Sequence, residues 1–240
     1  MAAARLHVNT GLTPDGSIRI NVDYRSSFRR PLMKTLFKPL LAGAAALSLL
    51  VSGGVVAQSA NTKNPAEVRA GAYALDSEHG KITWKVDHLG FSTYIGQFVN
   101  VQAELNIDPA NPSAGTLTAT IPLADVASNS DGLDRHLQTA DFFDTANHPT
   151  ATFRSTRIEI DSDDATEADV YGELTLRGVT RPVKMEVQFN QAGPAMGGGY
   201  KVGFDGEATI KRSEFGINYA LPAIGDEVKL HLEGEFVLKQ

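Results

Sequence analysis

Few side chains in this sequence are placed to do chemistry, and the most conspicuous are adjacent: Arg135 and His136. They stand among Leu133, Leu137, Phe142 and Phe143, so a cation and an imidazole sit in an apolar stretch. Five of the six histidines, His79, His88, His136, His148 and His231, follow residue 57. None has the His-x-His or His-Glu-x-x-His spacing that brings two imidazoles to one metal ion, so no metal ligand is expected. The chain has no cysteine, which removes disulfides, thiolate metal sites, a cysteine nucleophile and lipids attached through cysteine. Ser, His and Asp all occur, but without a Gly-x-Ser-x-Gly elbow, and Asp161-Ser-Asp-Asp164 reads as a solvated turn. No catalytic residue is assigned, and the expectation is a protein that is not an enzyme.

The elements that must position these residues read almost entirely as strands. Val101, Ala103, Leu105 and Ile107 alternate with Gln102, Glu104, Asn106 and Asp108. Leu117 to Leu123, Val170 to Leu176, Val183 to Phe189 and Val228 to Leu238 repeat the period of two, which marks half-buried antiparallel strands. Turn chemistry separates them at Asp108-Pro-Ala-Asn-Pro, Arg177-Gly and Gly193 to Gly199. Residues 124–147 break the alternation, and Leu133 with Leu137 suits a short helix with Asp131 as a candidate N-cap. The expected fold class is therefore all-β: an extended antiparallel β-barrel of about eight strands, with one or two short helices in a central insert. Closure removes exposed sheet edges; a two-sheet sandwich is the alternative.

Ile82, Trp84, Val86 and His88 share one face of the first long strand. Phe91, Tyr94, Phe98, Phe142, Phe143, Phe153, Phe189, Phe204, Phe215 and Phe236 add further aromatic volume. These side chains either fill a core or line a hollow, and a binary pattern does not separate the two. His88 is read as a hydrogen-bonded core histidine or as a polar contact inside a hollow.

The N-terminus reads as an address. From Met33, Lys34 and Lys38 form a basic start, residues 40–56 carry no charge, and Val55-Val56-Ala57 offers small residues for cleavage. That is the three-part pattern of a secretory signal peptide over 33–57. Gly53-Gly54 disfavours the alternative of a membrane-spanning helix. Arg29-Arg30 is a loose twin-arginine pattern, but the ordinary secretory route is preferred. Residues 1–32 show no sustained period and are read as a mis-assigned extension, with 58–71 as a polar tether. Cleavage after Ala57 leaves 183 of the 240 residues. It also moves the net charge from −6 to −11, because seven of the nine charges removed are basic. So acidic a protein is not expected to bind nucleic acid, nor, once cleaved, to remain inserted in a membrane.

Four segments carry a family resemblance. Asp76-Ser-Glu-His-Gly-Lys-Ile-Thr-Trp-Lys-Val-Asp-His-Leu-Gly-Phe-Ser, continuing to Gly96-Gln-Phe, resembles the opening of the YceI-like family. Asp131-Gly-Leu-Asp-Arg-His-Leu, Phe142-Phe-Asp, His148-Pro and Thr152-Phe-Arg-Ser are similar to its central signature. Gly172-Glu-Leu-Thr-Leu-Arg-Gly-Val-Thr-Arg-Pro-Val and Ile210-Lys-Arg-Ser-Glu-Phe-Gly complete a match in order over residues 72–240, with Gly80 the one departure.

The resemblance implies a lipocalin-like barrel in the periplasm. Such a barrel would enclose a long isoprenoid lipid, a polyprenyl phosphate or an isoprenoid quinone, with no other cofactor. Trp84, Phe91, Tyr94, Phe98, Phe142, Phe143 and Phe153 would line the lumen. His88, Arg135, His136 and Arg212 would meet the head group. Against that, Arg135 could instead pair with Asp131, Asp134 or Asp141, and Arg212 could be a paired structural arginine. An enzyme acting on such a lipid, or a filled barrel acting through protein partners in an envelope stress response, remain the alternatives. A homodimer is a possible assembly.

Overall fold

The computed structural model describes residues 61–240 and, separately, the strands His7–Leu12 (β1) and Ile18–Asp23 (β2). The signal sequence assigned to 33–57 and the first residues of the tether lie outside the described residues. β1 and β2 pair antiparallel, His7 opposite Asp23 and Leu12 opposite Ile18. In β2, Ile18, Ile20 and Val22 alternate with Arg19, Asn21 and Asp23, a run too short to amount to a sustained period over residues 1–32.

From Gly71 onward the alternating segments become strands. They are β3 (Gly71–His88), β4 (Ser92–Phe98), β5 (Gln102–Ile107), β6 (Thr116–Pro122), the short β7 (Val126–Ala127), β8 (Thr150–Ile160), β9 (Glu167–Leu176), β10 (Val179–Pro194), β11 (Tyr200–Lys211) and β12 (Ile224–Leu238). All their pairings are antiparallel, in the order β12-β11-β10-β9-β8-β6-β5-β3, and β3 returns to β12. Eight strands thus close into a barrel, as expected from the alternation, and the sandwich is excluded. β3 is the pivot. One of its edges runs along β12, while the other pairs first with β5 through Gly71–Ala74 and then with β4 through Ile82–His88. β4 therefore leaves the barrel wall, and β7 pairs with it.

The insert forms one α-helix, α1 (Asp131–Leu137), among the described residues. Its N-cap is Ser130, one residue before the expected Asp131. Ser130 has extended backbone angles, and its hydroxyl accepts from the Leu133 amide. Asp131 and Asp134 stand in the first turn instead, where negative charge suits the helix dipole.

Residues 61–70 are not a loose tether. Thr62 and Ala192 exchange backbone hydrogen bonds of 2.7 and 2.9 Å. Asn64 caps a single 3-10 turn, Pro65–Glu67. Val68 is buried in the core, and the Arg69 guanidinium lies 4.5 Å from the centre of the Tyr200 ring. One apolar residue and a proline in a polar run suffice to dock the segment, which is too weak a pattern to register as periodicity.

The seam between β3 and β12 carries an irregularity: Phe236 pairs with Leu75 but Gly234 with Gly80, leaving residues 76–79 looped out. A cluster of charges secures it. Lys201 Nζ lies 2.7 Å from Asp76 and 2.9 Å from Glu235, and Asp76 also meets His79 at 2.9 Å. The Lys201 hydrogen bond, with help from His79, holds the Asp76 carboxyl down at about 2. Its stabilising effect is complete above the ordinary carboxyl value of 3.8 and disappears as the pH falls towards about 2. Urea unfolding across that interval should show wild type losing more stability than Asp76→Asn; equal losses would exclude Asp76 as a source of acid sensitivity.

Candidate functional site

The barrel is not filled. Its inward residues enclose two apolar cavities. The larger, about 340 Å³, is walled by side chains such as Leu75, Leu105, Leu117, Ile158, Phe204 and Phe236. Asn64, Pro65, Ala66 and Val68 of the docked N-terminal segment cover part of it. The smaller, about 150 Å³, lies towards α1 and is walled by Trp84, Phe98, Phe142, Phe143, Leu176 and Val228 among others.

Four of the seven aromatics expected in a lumen therefore line one chamber: Trp84, Phe98, Phe142 and Phe143. The Trp84 ring lies across Gly96 on the neighbouring β4, where any Cβ would fall on the indole. Tyr94 stands beside that indole, with ring centres 6.1 Å apart, and its hydroxyl donates to the Ser128 carbonyl at 3.1 Å. It borders neither cavity. Phe153 is buried but also borders neither. Phe91 is a correction: it is 89% exposed. It follows Leu89 and Gly90, both at positive φ, in the tight turn joining β3 to β4. The turn ends the strand alternation and sends the ring into solvent.

The expected head-group residues separate further. Arg212 is only 5% exposed, and four carbonyls surround its guanidinium. Nε donates to Gly225 (2.8 Å), Nη1 to Ile217 (3.1 Å) and Tyr219 (2.9 Å), and Nη2 to Ile224 (2.8 Å). Four of its five N–H donors are thereby used. Arg212 borders the smaller chamber, yet it serves as the clamp of the 216–225 loop, not as a free head-group cation. Burial lowers its pKa, and the nearby Asp226 charge opposes that shift.

Arg135 is exposed on α1 and borders neither chamber. It also lacks the expected acidic partner among the described residues. Asp141 is taken by His136 Nε2 at 2.9 Å, and Asp134 accepts from the Ser128 amide at 2.8 Å. His136 packs edge-on against Phe142 and Tyr219, at 5.0 and 4.9 Å between ring centres. Because Phe142 is a chamber wall, His136 forms part of the outer cover there. His88 is half-buried beside Tyr94 at 5.8 Å. Its ring has no hydrogen bond among the described residues, so it is not the hydrogen-bonded core histidine anticipated.

Arg177 was missed. Its backbone adopts φ 53° in the β9–β10 turn, and its guanidinium donates to Gly216 (2.8 Å) and Ala140 (2.7 Å). It ties the α1 insert to the loop that Arg212 clamps. The Arg-Gly dipeptide announced a turn and gave no sign of this reach.

These placements separate the two arginines experimentally. Arg212→Ala strands four buried or part-buried carbonyls and should lower unfolding free energy by about 3 kcal/mol or more. Arg135→Ala should change it by no more than about 0.5 kcal/mol. Urea denaturation of both variants measures this, and similar values for the two would contradict the assignment.

A model of the YceI-like domain matches residues 73–236. A UPF0312 protein of Pseudomonas aeruginosa is 38% identical over 153 residues, covering 63% of this chain and 78% of that protein. The crystal structure of Burkholderia cenocepacia BcnA has a TM-score of 0.61 and 25% identity, over 67% of this chain and 98% of that one. A polyisoprenoid-binding domain from Saccharophagus degradans, implicated in plant cell wall breakdown, has a TM-score of 0.53 at 14% identity. It covers 71% of this chain and 100% of that one, and its likeness is one of fold. The barrel with its α1 insert, and a family match running from β3 to β12, establish that this chain belongs to the YceI-like family.

Proposed function

We propose that this protein is exported to the periplasm, loses residues 33–57 as a signal peptide, and binds the apolar tail of an isoprenoid lipid inside its barrel. The observation that carries the reading is the pair of apolar chambers within a closed antiparallel sheet. Moving a prenyl chain from water into such a space gains about 0.8 kcal/mol per buried CH₂. Aliphatic and aromatic walls supply that contact without demanding a particular orientation. Hollow chambers favour a carrier over a filled barrel. The polyisoprenoid-binding domain of S. degradans has the same fold, which lends the reading a precedent.

Binding fits the walls of the smaller chamber better than catalysis does. The one titratable residue bordering the smaller chamber is Arg212, and its donors are committed to carbonyls. The His136–Asp141 pair lies on the outer cover, behind Phe142. A polyprenyl phosphate and an isoprenoid quinone are both compatible with these walls, because the tail is what they contact.

The sole tryptophan of the chain is Trp84, a chamber wall, so its emission reports directly on occupancy. Titration with an isoprenoid quinone should quench it, and native mass spectrometry of protein isolated from its own periplasm should reveal a bound lipid. Unchanged emission together with lipid-free protein would reject the proposal. Export has its own measurement: a chain started at Met33 should be recovered from the periplasmic fraction with Gln58 as its first residue. Recovery of only the uncleaved chain would refute the signal assignment.

A further inference from the structure

The two chambers are separated by very little. Along β8, Ala151 borders the smaller chamber, Ile158 and Ile160 border the larger, and Phe153 lies between. Along β9 the order is Leu176 and Leu174, then Gly172, then Val170. Along β11 it is Ile210, then Ala208, then Gly206 and Phe204. Phe153, Gly172 and Ala208 border neither space, and nor do Ser155 and Val183, the strand partners of Gly172 on either side, so these five form the intervening level on β8 to β11. Ile82 on β3 is the residue common to both.

Within that level Phe153 is the one aromatic side chain; Leu174 and Leu230, the strand partners of Phe153 and Ala208, wall the smaller chamber beside it. Phe153 is 7% exposed and packs with Ala208, Val170 and Met185. Its ring lies over Gly172, where a Cβ would fall on the phenyl carbons. On the β8 to β11 side the partition is therefore chiefly this aromatic ring, with Gly172, Ala208, Ser155 and Val183 around it. A phenyl side chain has a few staggered positions about χ1, and interior side chains do exchange between such positions. Two minimal neighbours in the same level leave a passage if the ring turns aside.

We infer that Phe153 is the length gate of the lumen. With the ring across, each chamber accepts a short apolar chain by itself; with the ring turned aside, one long chain runs through both. The inference rests on the lipid-binding reading above and specifies it further. The larger chamber, about 340 Å³, is near the lower end of pockets that hold drug-sized molecules, about 300–1,000 Å³. A short prenyl chain is of that size and leaves the ring in place. A chain of many isoprene units must displace it.

Graded prenyl alcohols test this, with farnesol (three units) and solanesol (nine units) as probes delivered from cyclodextrin. Affinities are measured by calorimetry on wild type, Phe153→Ala, Phe153→Leu and Ala208→Leu, after thermal melting has identified the folded variants. Removing the ring should raise the preference for solanesol over farnesol about tenfold, the equivalent of about 1.4 kcal/mol. Ala208→Leu keeps the ring and fills the passage beside it. It should weaken solanesol binding about tenfold or more, while farnesol binding stays near that of wild type. Where Phe153→Ala does not fold, Phe153→Leu and Ala208→Leu decide. A solanesol-to-farnesol ratio equal to that of wild type in all folded variants would overturn the gate alone. Wild type that binds neither alcohol would overturn the gate and the lipid-binding reading together.

Discussion

Everything inside this barrel depends on the pairing of β3 with β12. A sheet that encloses empty space receives no packing from within the void, so its wall must be held by its own ladder. An open edge beside a hollow would expose unpaired amides to water and to other strands. The long β3 prevents this by pairing along most of one edge with β12, and by giving its other edge first to β5 and then to β4. The looped-out residues 76–79 are the weak stretch of that seam. It is there that Lys201 reaches from β11 to join Asp76 and Glu235 across three strands.

Polar side chains in the interior and at the rim serve the architecture before they serve a guest. Arg212 spends its donors on four carbonyls, Arg177 links the insert to the same loop, and His136 takes up Asp141. These groups, which would cost several kcal/mol if buried without partners, are satisfied by the fold itself, whereas the buried Trp84 Nε1 in the chamber wall has no hydrogen-bond partner among the described residues. The chamber walls that remain are mostly aliphatic and aromatic, with Lys81, Asp205 and Glu233 bordering the larger chamber and Lys81 paired with Glu233. Such walls recognise a ligand by length and girth and discriminate little on head-group chemistry, which suits a tail built of repeating units.

The fold was legible in the sequence because alternation is a local property: a period of two survives in each strand whatever the strand pairs with. The count of about eight strands and the break over 124–147 follow from it; alternation alone left a sandwich open, and the β3–β12 pairing closes the barrel. The site was less legible because depth along a barrel is not written in a binary pattern. Phe98, Phe142 and Phe153 look alike in sequence, yet the first two border a cavity and the third divides two of them. Phe91 looked the same again and lies outside, since a left-handed turn at Leu89 and Gly90 reversed its direction. Arg212 and Arg135 are both arginines beside apolar residues. What distinguishes them is the set of carbonyls gathered from residues 217–225, a long-range fact that no motif contains.

The docked segment at residues 61–70 gives the larger chamber an end made differently from its walls. The wall strands are held by ladders of hydrogen bonds on both sides, whereas this cover is fixed to the sheet by the Thr62–Ala192 pair, the burial of Val68, the Arg69 guanidinium on the Tyr200 ring and the Tyr73 hydroxyl donating to the Arg69 carbonyl. Free energies of local opening scale with how much must be broken. This cover is held by side-chain contacts and a single bridge, where the wall is held by its ladder. Container and closure are in this way fastened by different means within one chain.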